Sequence, residues 1–174
     1  MRKVTYSAAV SLDSYIAGPD EAIDWIVWSD DVAAIMKEAW AGVDTVLMGR
    51  RTWEFAARGG GSGSTPKTRT CVFSRTLKAA PKGAELVRED AAGFVRALKS
   101  EPGGGIFLMG GGGLAAALIE GGAVDEIALS VHPLLLGGGT FLLGPMARRV
   151  ALERIEARPI AKGCLFVRYR VAKG

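Results

Sequence analysis

A run of four consecutive glycines is the feature of this sequence best suited to binding a phosphate group. The run follows the apolar segment 106–109 and precedes a segment, 114–120, with the composition of a helix. Glycines at a turn from strand to helix let the backbone approach a phosphate closely, and the first N–H groups of the helix are free to bind it. One or two glycines would be enough for a tight turn, so a run of four favours a phosphate site. The four residues are Gly110, Gly111, Gly112 and Gly113.

Two further segments place arginines and hydroxyl groups at the ends of short apolar strands. The strand predicted over 45–48 is followed by Gly49, Arg50, Arg51 and Thr52, and the strand predicted over 70–74 leads into Ser74 and Arg75. Because the carboxyl ends of parallel strands meet at one edge of a sheet, we expect these residues to lie beside the glycine turn. The sequence therefore predicts one phosphate-binding site built from three strand ends.

Two common nucleotide-binding motifs do not account for the glycine run. A G-x-G-x-x-A pattern is loosely matched by Gly110, Gly112 and Ala115, but the next predicted strand ends at Ser130, Val131 and His132 without an acidic residue. A dinucleotide-binding Rossmann unit would carry an acid there for the ribose hydroxyls. No Gly-Lys-Ser/Thr triplet follows the glycines, which excludes a P-loop.

Other residues with catalytic potential give weaker signals. The sequence has one histidine, His132, so catalysis by a Ser-His-Asp triad and metal sites with several histidines are excluded. Its setting predicts a buried, structural histidine. The acids at 13, 20, 24, 30 and 31 lack the spacing of a calcium loop, and we predict no metal site. Two readings of Trp28 and Trp53 are open: they line a pocket for a flat ring, or they have a purely structural role.

Length and composition indicate one globular domain over residues 1–174. The chain has 174 residues, of which 49% are hydrophobic and 23% charged, values close to the average for globular proteins. No apolar run approaches the roughly 18 residues of a membrane span, and two cysteines cannot form a disulfide framework. The net charge of +4 is not accompanied by aromatics interleaved with a dense basic stripe. We therefore expect a cytoplasmic protein without a membrane or nucleic-acid partner.

The elements that would position these residues alternate between strand and helix. We predict helices after the capping residues Ser29 and Asp90 and a third over 114–120. The predicted strands cover 4–10, 45–48, 70–74, 85–88, 106–109, 125–132, 151–158 and 164–171, and 59–66 reads as a loop rich in glycine and serine. This order is typical of an α/β protein with a mostly parallel sheet and an antiparallel edge.

Several segments together resemble the dihydrofolate reductase-like superfamily. They are SLDSYIAG at 11–18, DTVLMGRRTWE at 44–54, VFSRTL at 72–77, LMGG at 108–111, and the segment 124–140, which contains HPLLLGGGT. The match is closer still to the riboflavin-biosynthesis reductase of the RibD C-terminal type, as a stand-alone member. The segments occur in the family's order and extend over essentially the whole chain.

The resemblance implies a fold, a cofactor and a type of reaction. The fold is a single-domain dihydrofolate reductase-like one, with a central, mixed, mostly parallel sheet of about eight strands flanked by helices. The cofactor is NADPH, the substrate a pterin, pyrimidine or aminouracil-like heterocycle, and the assembly a homodimer. Ala9 and Ile16 would lie near the nicotinamide, 49–52 would bind phosphates and the adenosine side, Ser74 and Arg75 would meet the 2′-phosphate, and 110–113 the pyrophosphate.

Departures from the family pattern concern the substrate half of the site. The loop glycine is Ser14 here, a substrate-binding glutamate corresponds to Met109, and an aspartate corresponds to Ala56. Met109 therefore joins Trp28 and Trp53 as a candidate for the substrate pocket. For the catalytic acid, Asp13 and Asp31 are candidates, although Ala33 fits the register as well as Asp31. The alternative function is a non-catalytic protein that binds NADPH or another ligand on the same fold.

Overall fold

The computed structural model describes residues 1–59, 68–88 and 90–172. Part of the glycine- and serine-rich segment 59–66 therefore lies outside the described residues. The strands within the described ranges are β1 (Val4–Ser11), β2 (Tyr15–Ala17), β3 (Val43–Gly49), β4 (Arg69–Phe73), β5 (Glu85–Val87), β6 (Gly105–Gly110), β7 (Glu126–His132), β8 (Thr140–Phe141), β9 (Leu152–Pro159) and β10 (Leu165–Val171). The helices are α1 (Asp30–Trp40), α2 (Arg50–Arg58), α3 (Ala91–Ser100) and α4 (Gly112–Glu120).

Eight of the strands form one mostly parallel sheet. Their order across the sheet is β5-β4-β3-β6-β1-β7-β10-β9. Neighbours from β5 to β7 are parallel, and β10 runs antiparallel to both β7 and β9. Strands β2 and β8 make a separate two-stranded sheet. The predicted α/β fold with a mixed, mostly parallel, eight-stranded sheet is confirmed.

The sheet is covered by apolar side chains on both faces. One cluster contains Val95 and Leu98 of α3 and Leu118 of α4, packed with strand residues such as Leu108. A second, smaller cluster contains Val32 and Ile35 of α1 with Ala128, Ile160, Cys164 and Phe166. Each of these helices presents an apolar stripe to the sheet, which is why the sequence pattern identifies them.

The four described helices begin in two different ways. In α1 the Ser29 hydroxyl accepts a hydrogen bond from the Val32 N–H at 3.3 Å, and in α3 the Asp90 carboxylate accepts one from the Gly93 N–H at 2.9 Å. By contrast, α2 and α4 are capped by glycines, Gly49 and Gly111, without a side-chain hydrogen bond. Their first N–H groups are therefore available to a ligand.

No helix in the described parts of the chain has the length and apolar character needed to cross a membrane. The homodimer that the resemblance implies stays a prediction, since the structure contains one chain.

His132 is wholly buried at the end of β7, as predicted. Its Nδ1 lies 3.5 Å from Cys164 Sγ and accepts a hydrogen bond of 3.5 Å from the Val27 N–H. The edge of the Trp25 ring meets the imidazole at a centroid distance of 5.2 Å. Burial lowers the pKa of His132 below its ordinary value because the protonated ring loses its hydration.

We expect the stability of the protein to fall as the pH drops below about 6.5, the ordinary pKa of histidine. In that range the unfolded chain takes up a proton at His132, whereas the folded protein resists protonation, so acid favours unfolding. Melting temperatures measured between pH 7.5 and 5.5 should decrease, by roughly 2–4 °C for each kcal/mol lost.

His132→Asn should be less stable at pH 7.5 but should show a flatter pH dependence, since the chain has no other histidine. An equally steep decrease in this variant would assign the effect to other groups.

Candidate functional site

The central sheet separates between two of its parallel strands. Strand β1 pairs with β6 only over the first part of its length, and this pairing ends at Tyr6 and Leu108. Beyond that point β1 continues along β7 as far as Ser11, while β6 continues along β3 as far as Gly110. The two strands therefore leave a slot at the carboxyl edge of the sheet, the edge at which α/β proteins bind ligands.

A cleft of about 1080 Å³ lies over this slot. Its floor includes the small residues Ala8 and Ala9 of β1, and Met109 at the end of β6. One end of the cleft, which we call the basic end, is lined by Gly49, Arg50, Arg51, Thr52, Ser74, Arg75, Thr76, Gly111, Gly112 and Gly113. The structure thus brings together the three strand ends on which the sequence prediction was based.

At the basic end, the N-terminus of α4 is shaped by its glycines. A Cβ atom on Gly112 would lie 2.5 Å from the carbonyl oxygen of Phe141, so this position leaves no room for a side chain. A Cβ atom on Gly113 would meet nothing within 4 Å, so the first turn of the helix is open to the cleft. A Cβ atom on Gly111 would lie 3.4 Å from Thr52 Oγ1, which shows that the starts of α2 and α4 are close together.

The arginines of the basic end differ in their partners. Arg50 donates to Glu54 at 2.6 Å and to Thr76 Oγ1 at 3.1 Å. Arg51 and Arg75 are exposed and line the cleft. Within the described ranges neither guanidinium makes a hydrogen bond or an ion pair. Two cationic groups are therefore free to bind an anion at this end.

Ser74 holds the turn that carries Arg75. Its hydroxyl oxygen accepts hydrogen bonds from the N–H groups of Thr76 at 3.2 Å and Leu77 at 3.1 Å. Because the residue is only 9% exposed and its oxygen is already engaged, its main effect is to order the turn. The hydroxyl also lies 3.4 Å from Thr76 Oγ1, within hydrogen-bonding distance, and either oxygen can be the donor.

The other end of the cleft is largely apolar, and we call it the apolar end. It is lined by Ile16, Ala17, Ile23, Ile26, Phe55 and Ala56. Two carboxylates also reach the lining, but each has an arginine partner: Glu21 accepts from Arg58 Nη2, and Glu54 accepts from Arg50 Nε. This end therefore offers a surface for a flat ring and no charge without a counterion among the described residues.

Asp13 lies beside the cleft and joins two loops. Its carboxylate accepts hydrogen bonds from the Ser11 hydroxyl at 2.6 Å and from the N–H groups of Leu136 at 3.1 Å and Gly137 at 2.7 Å. These bonds favour the ionised form and lower the pKa of Asp13, with the Ser11 hydroxyl making the largest contribution. Asp13 thus fixes the loop after β1 to the loop after β7.

Besides Asp13 and Gly110, three sequence candidates are not among the residues that line the cleft. The Asp31 carboxylate accepts a hydrogen bond of 2.8 Å from the Ala161 N–H, which ties α1 to the turn before β10. Trp28 is 66% exposed, and neither Trp28 nor Trp53 is among the residues that line the cleft. Asp31, in the first turn of α1, therefore makes a tertiary contact and does not line the cleft. Met109 does line the cleft.

The segment that walls the apolar end was not identified by sequence reasoning. Ile23 and Ile26 belong to the irregular stretch between β2 and α1, which shows neither a strand nor a helix period. Its position depends on the contact between Val27 and His132, which are separated by 105 residues in the sequence. Phe55 was missed because α2 is short, rich in charged residues and without a buried residue.

The arrangement suits a ligand that carries several phosphates at one end and a flat ring at the other. Two helix N-termini and two free guanidinium groups provide donors for phosphate oxygens. The open side of Gly113 leaves room for a phosphate against the backbone. The slot between β1 and β6 is floored by small side chains and can admit a ring.

Comparison with known proteins identifies the family. The model of the RibD C-terminal domain matches residues 2–166. The uncharacterized protein YyaP of Bacillus subtilis (strain 168) is 28% identical over 179 residues, which cover 97% of this chain and 94% of that protein.

Two solved structures show the same fold. One is a protein from Shewanella sp. PV-4 described as a riboflavin biosynthesis protein, with a TM-score of 0.85, 22% identity, and coverage of 98% of this chain and 99% of that one. The other is dihydrofolate reductase from Enterococcus faecalis in complex with NADP(H) and RAB-propyl, with a TM-score of 0.73, 17% identity, and coverage of 98% and 97%. With the family model matching nearly its whole length, the chain belongs to the RibD C-terminal domain family and has a dihydrofolate reductase-like fold.

Proposed function

We propose that the protein is an NADPH-dependent reductase that transfers a hydride to a small planar acceptor of the heterocyclic kind. The observation that carries this proposal is the combination of a split sheet with a basic end and an apolar end in one cleft. Membership of the RibD C-terminal family supports reductase chemistry. The related dihydrofolate reductase, which shares the fold, was solved with NADP(H).

The basic end would hold the phosphates of the cofactor. The free N–H groups at the starts of α2 and α4 would bind the pyrophosphate, with Thr52 as an additional donor. Arg51 and Arg75 would neutralise the phosphates that are exposed to solvent. Arg75 is the better placed for the adenosine 2′-phosphate because it follows β4, which lies one strand further from the slot than β3. The residues of this end therefore fit the group.

The slot would hold the nicotinamide. When bound, NADPH supplies the hydride, and the protein supplies position and exclusion of water. Ala9 and Ile16 line the cleft where β1 leaves β6, so they would contact the ring. The apolar end would then keep the acceptor against the reactive face and limit the access of water.

The competing function is a protein that binds NADPH without turnover. Met109 and Ala56 favour this alternative, since neither can orient a polar substrate by hydrogen bonding through its side chain. Oxidation of NADPH, followed by its absorbance in the presence of planar acceptors, separates the two functions. Turnover supports the reductase, and tight binding without turnover of any acceptor supports the binding protein.

Gly113→Val should weaken NADPH binding at least about 10-fold, the equivalent of roughly 1.4 kcal/mol. The new side chain would enter the open space over the first turn of α4, where the phosphate is expected, and its Cβ atom would have no neighbouring protein atom within 4 Å. Titration of NADPH fluorescence measures the dissociation constant. The melting temperature should change by no more than roughly 2 °C, since no contact is broken.

Ala117→Val is the matched control, because Ala117 is exposed on the same helix outside the cleft. It adds a similar bulk and should leave the dissociation constant unchanged. Equal binding by the Gly113 variant and the wild type would remove the N-terminus of α4 from the site.

Arg75→Ala should weaken NADPH by about 10-fold or somewhat more and change NADH far less. A charge-assisted hydrogen bond to the 2′-phosphate is worth roughly 1.5–3 kcal/mol, with the lower end applying to an exposed site. Raised salt should reduce the preference of the wild type for NADPH, because the charges are solvated.

The exposed Arg149, outside the cleft, provides the control, since Arg149→Ala removes the same charge. If Arg75→Ala weakens both cofactors equally, the residue is structural and the 2′-phosphate lies elsewhere.

Asp13→Asn should slow turnover by roughly 10-fold or more, which corresponds to the loss of one charge-assisted hydrogen bond, and should weaken NADPH by less than about 2-fold. The amide keeps one acceptor oxygen, so one of the bonds to Ser11, Leu136 or Gly137 is lost and the two loops separate more readily.

The relevant measurements are steady-state kcat and the NADPH dissociation constant. Asp20→Asn removes the same charge from an exposed position nearby and should have no effect. Parallel losses of turnover and binding in the Asp13 variant would indicate a general folding role instead.

A further inference from the structure

We propose that the acceptor is an uncharged, electron-poor quinonoid ring, heterocyclic quinones included, and that the protein contributes no acid to its reduction. This inference rests on the proposed function, because it assumes that NADPH occupies the basic end. The inference concerns the apolar end and the slot. The charges, the hydroxyl groups and the apolar wall of these two regions together determine which acceptors can be bound and reduced.

The charges of the cleft are either paired or needed by the cofactor. Glu21 is paired with Arg58, and Glu54 with Arg50. The free guanidinium groups of Arg51 and Arg75 lie at the basic end, where the phosphates of the cofactor would neutralise them. Once NADPH is bound, no described cation is left for a phosphate or carboxylate on the acceptor. An anionic acceptor would lose its hydration without gaining a partner.

The wall of the apolar end favours the same class of molecule. Ile23, Ile26, Phe55, Ala56 and Met109 present aliphatic, aromatic and thioether surface to the cleft. Such a surface binds a planar ring through burial of apolar area and cannot satisfy many hydrogen-bonding groups. If the ring carried a sugar phosphate, the hydroxyl and phosphate groups of that ligand would be left without hydrogen-bond partners in this wall. Unpaired polar groups lower affinity strongly, so the site should reject such a ligand.

The described residues of the slot supply no proton donor of ordinary acidity. The nearest polar side chains in the lining are the hydroxyls of Ser7, Thr52 and Thr140. The two carboxylates of the lining, Glu21 and Glu54, are each paired with an arginine. The other acids considered are engaged outside the lining: Asp13 with loop N–H groups and Asp31 with Ala161, while His132 contacts Cys164 and Val27. A general acid typically contributes a factor of about 10²–10⁴, so an acceptor that needs one would react slowly here.

A quinonoid ring avoids this requirement. It accepts a hydride with both bonding electrons and becomes the hydroquinone monoanion, whose charge is delocalised over the ring. The monoanion then takes one proton from water. The overall change is quinone plus NADPH plus one proton to hydroquinone plus NADP⁺. A neutral C=N acceptor would instead place the charge on a nitrogen that must be protonated as the hydride arrives.

The proposal can be tested with a matched pair of acceptors, 1,4-naphthoquinone and 1,4-naphthoquinone-2-sulfonate. The sulfonate is the more electron-poor of the two, so its intrinsic reactivity toward hydride is higher. A lower enzymatic rate with the sulfonate would therefore be due to its charge. With the purified full-length protein and NADPH, and after correction for the uncatalysed rate, we expect kcat/KM to be at least about 10-fold higher for the neutral quinone.

The phosphoribosylaminouracil substrate of riboflavin biosynthesis should not be reduced at a comparable rate. Faster reduction of the sulfonate or of the phosphoribosyl compound than of the neutral quinone would overturn the inference while leaving the NADPH-dependent reductase in place. Tight NADPH binding without reduction of any of the three would overturn the inference and favour the binding protein. Failure to bind NADPH would overturn both.

The pH dependence tests the absence of a protein acid. The charged residues that line the cleft are Glu21, Glu54 and the arginines at 50, 51 and 75. No histidine, the side chain that most commonly changes charge near neutral pH, is among the described lining residues. We expect kcat/KM for 1,4-naphthoquinone to change by less than about 2-fold over this range. A decrease approaching 10-fold per pH unit would reveal a protein acid and overturn this part of the inference.

A charge introduced at Met109 tests the apolar wall. Met109→Glu should lower kcat/KM for the neutral quinone at least about 10-fold, because a carboxylate in the slot raises the polarity of the ring site. NADPH binding should weaken by a smaller factor than kcat/KM falls, since Met109 borders the nicotinamide slot but the phosphates of the cofactor would bind at the basic end.

Leu152→Glu on the exposed edge strand β9 adds the same charge outside the cleft and should alter neither quantity. Unchanged turnover in the Met109 variant, with NADPH still bound, would show that the acceptor does not contact this wall.

Discussion

The separation of β1 from β6 is the constraint on which the rest of this structure depends. Parallel strands in the middle of a sheet normally stay paired, because unpaired backbone groups lose their hydrogen bonds. Here the pairing stops at Tyr6 and Leu108, and each strand keeps its other neighbour, β7 or β3. The backbone that faces the slot must then be satisfied by water or by a ligand. The cleft, the small residues at its floor and the glycines at its rim are all consequences of keeping that space open.

The rim is held by contacts that are far apart in sequence. Tyr6 donates its hydroxyl to the Leu142 carbonyl at 2.8 Å, and the Gly144 N–H donates to the Gly112 carbonyl at 3.0 Å. The segment after β8 therefore lies across the start of α4. It comes so close to Gly112 that only glycine fits there. The run of four glycines consequently has two roles, since Gly112 admits a neighbouring chain segment and Gly113 leaves the cleft open.

Local patterns were enough to predict most of the sheet and the basic end of the site. Apolar runs that stop at glycine, arginine or serine have a direct physical meaning, and parallel topology brings such ends together. The helix α2 could not be predicted, because its nine residues are rich in charged side chains and none of them is buried. Only the range of strand β10 was predicted, and its apolar residues are not all buried: Phe166 is buried, whereas the neighbouring Leu165 is 49% exposed. Asp31 and the 22–29 segment were beyond sequence reasoning because their partners, Ala161 and His132, lie more than a hundred residues away.

The carboxylate of Asp13 makes two loops into one mechanical unit. It binds N–H groups more than 120 residues along the chain, in the loop after β7, while it also binds Ser11 in its own loop. Neither loop can leave its place without breaking the hydrogen bonds of the other. The amide protons of Leu136 and Gly137 should therefore exchange with solvent in the same opening event as those of the β1–β2 loop, as a single cooperative unit at the mouth of the slot.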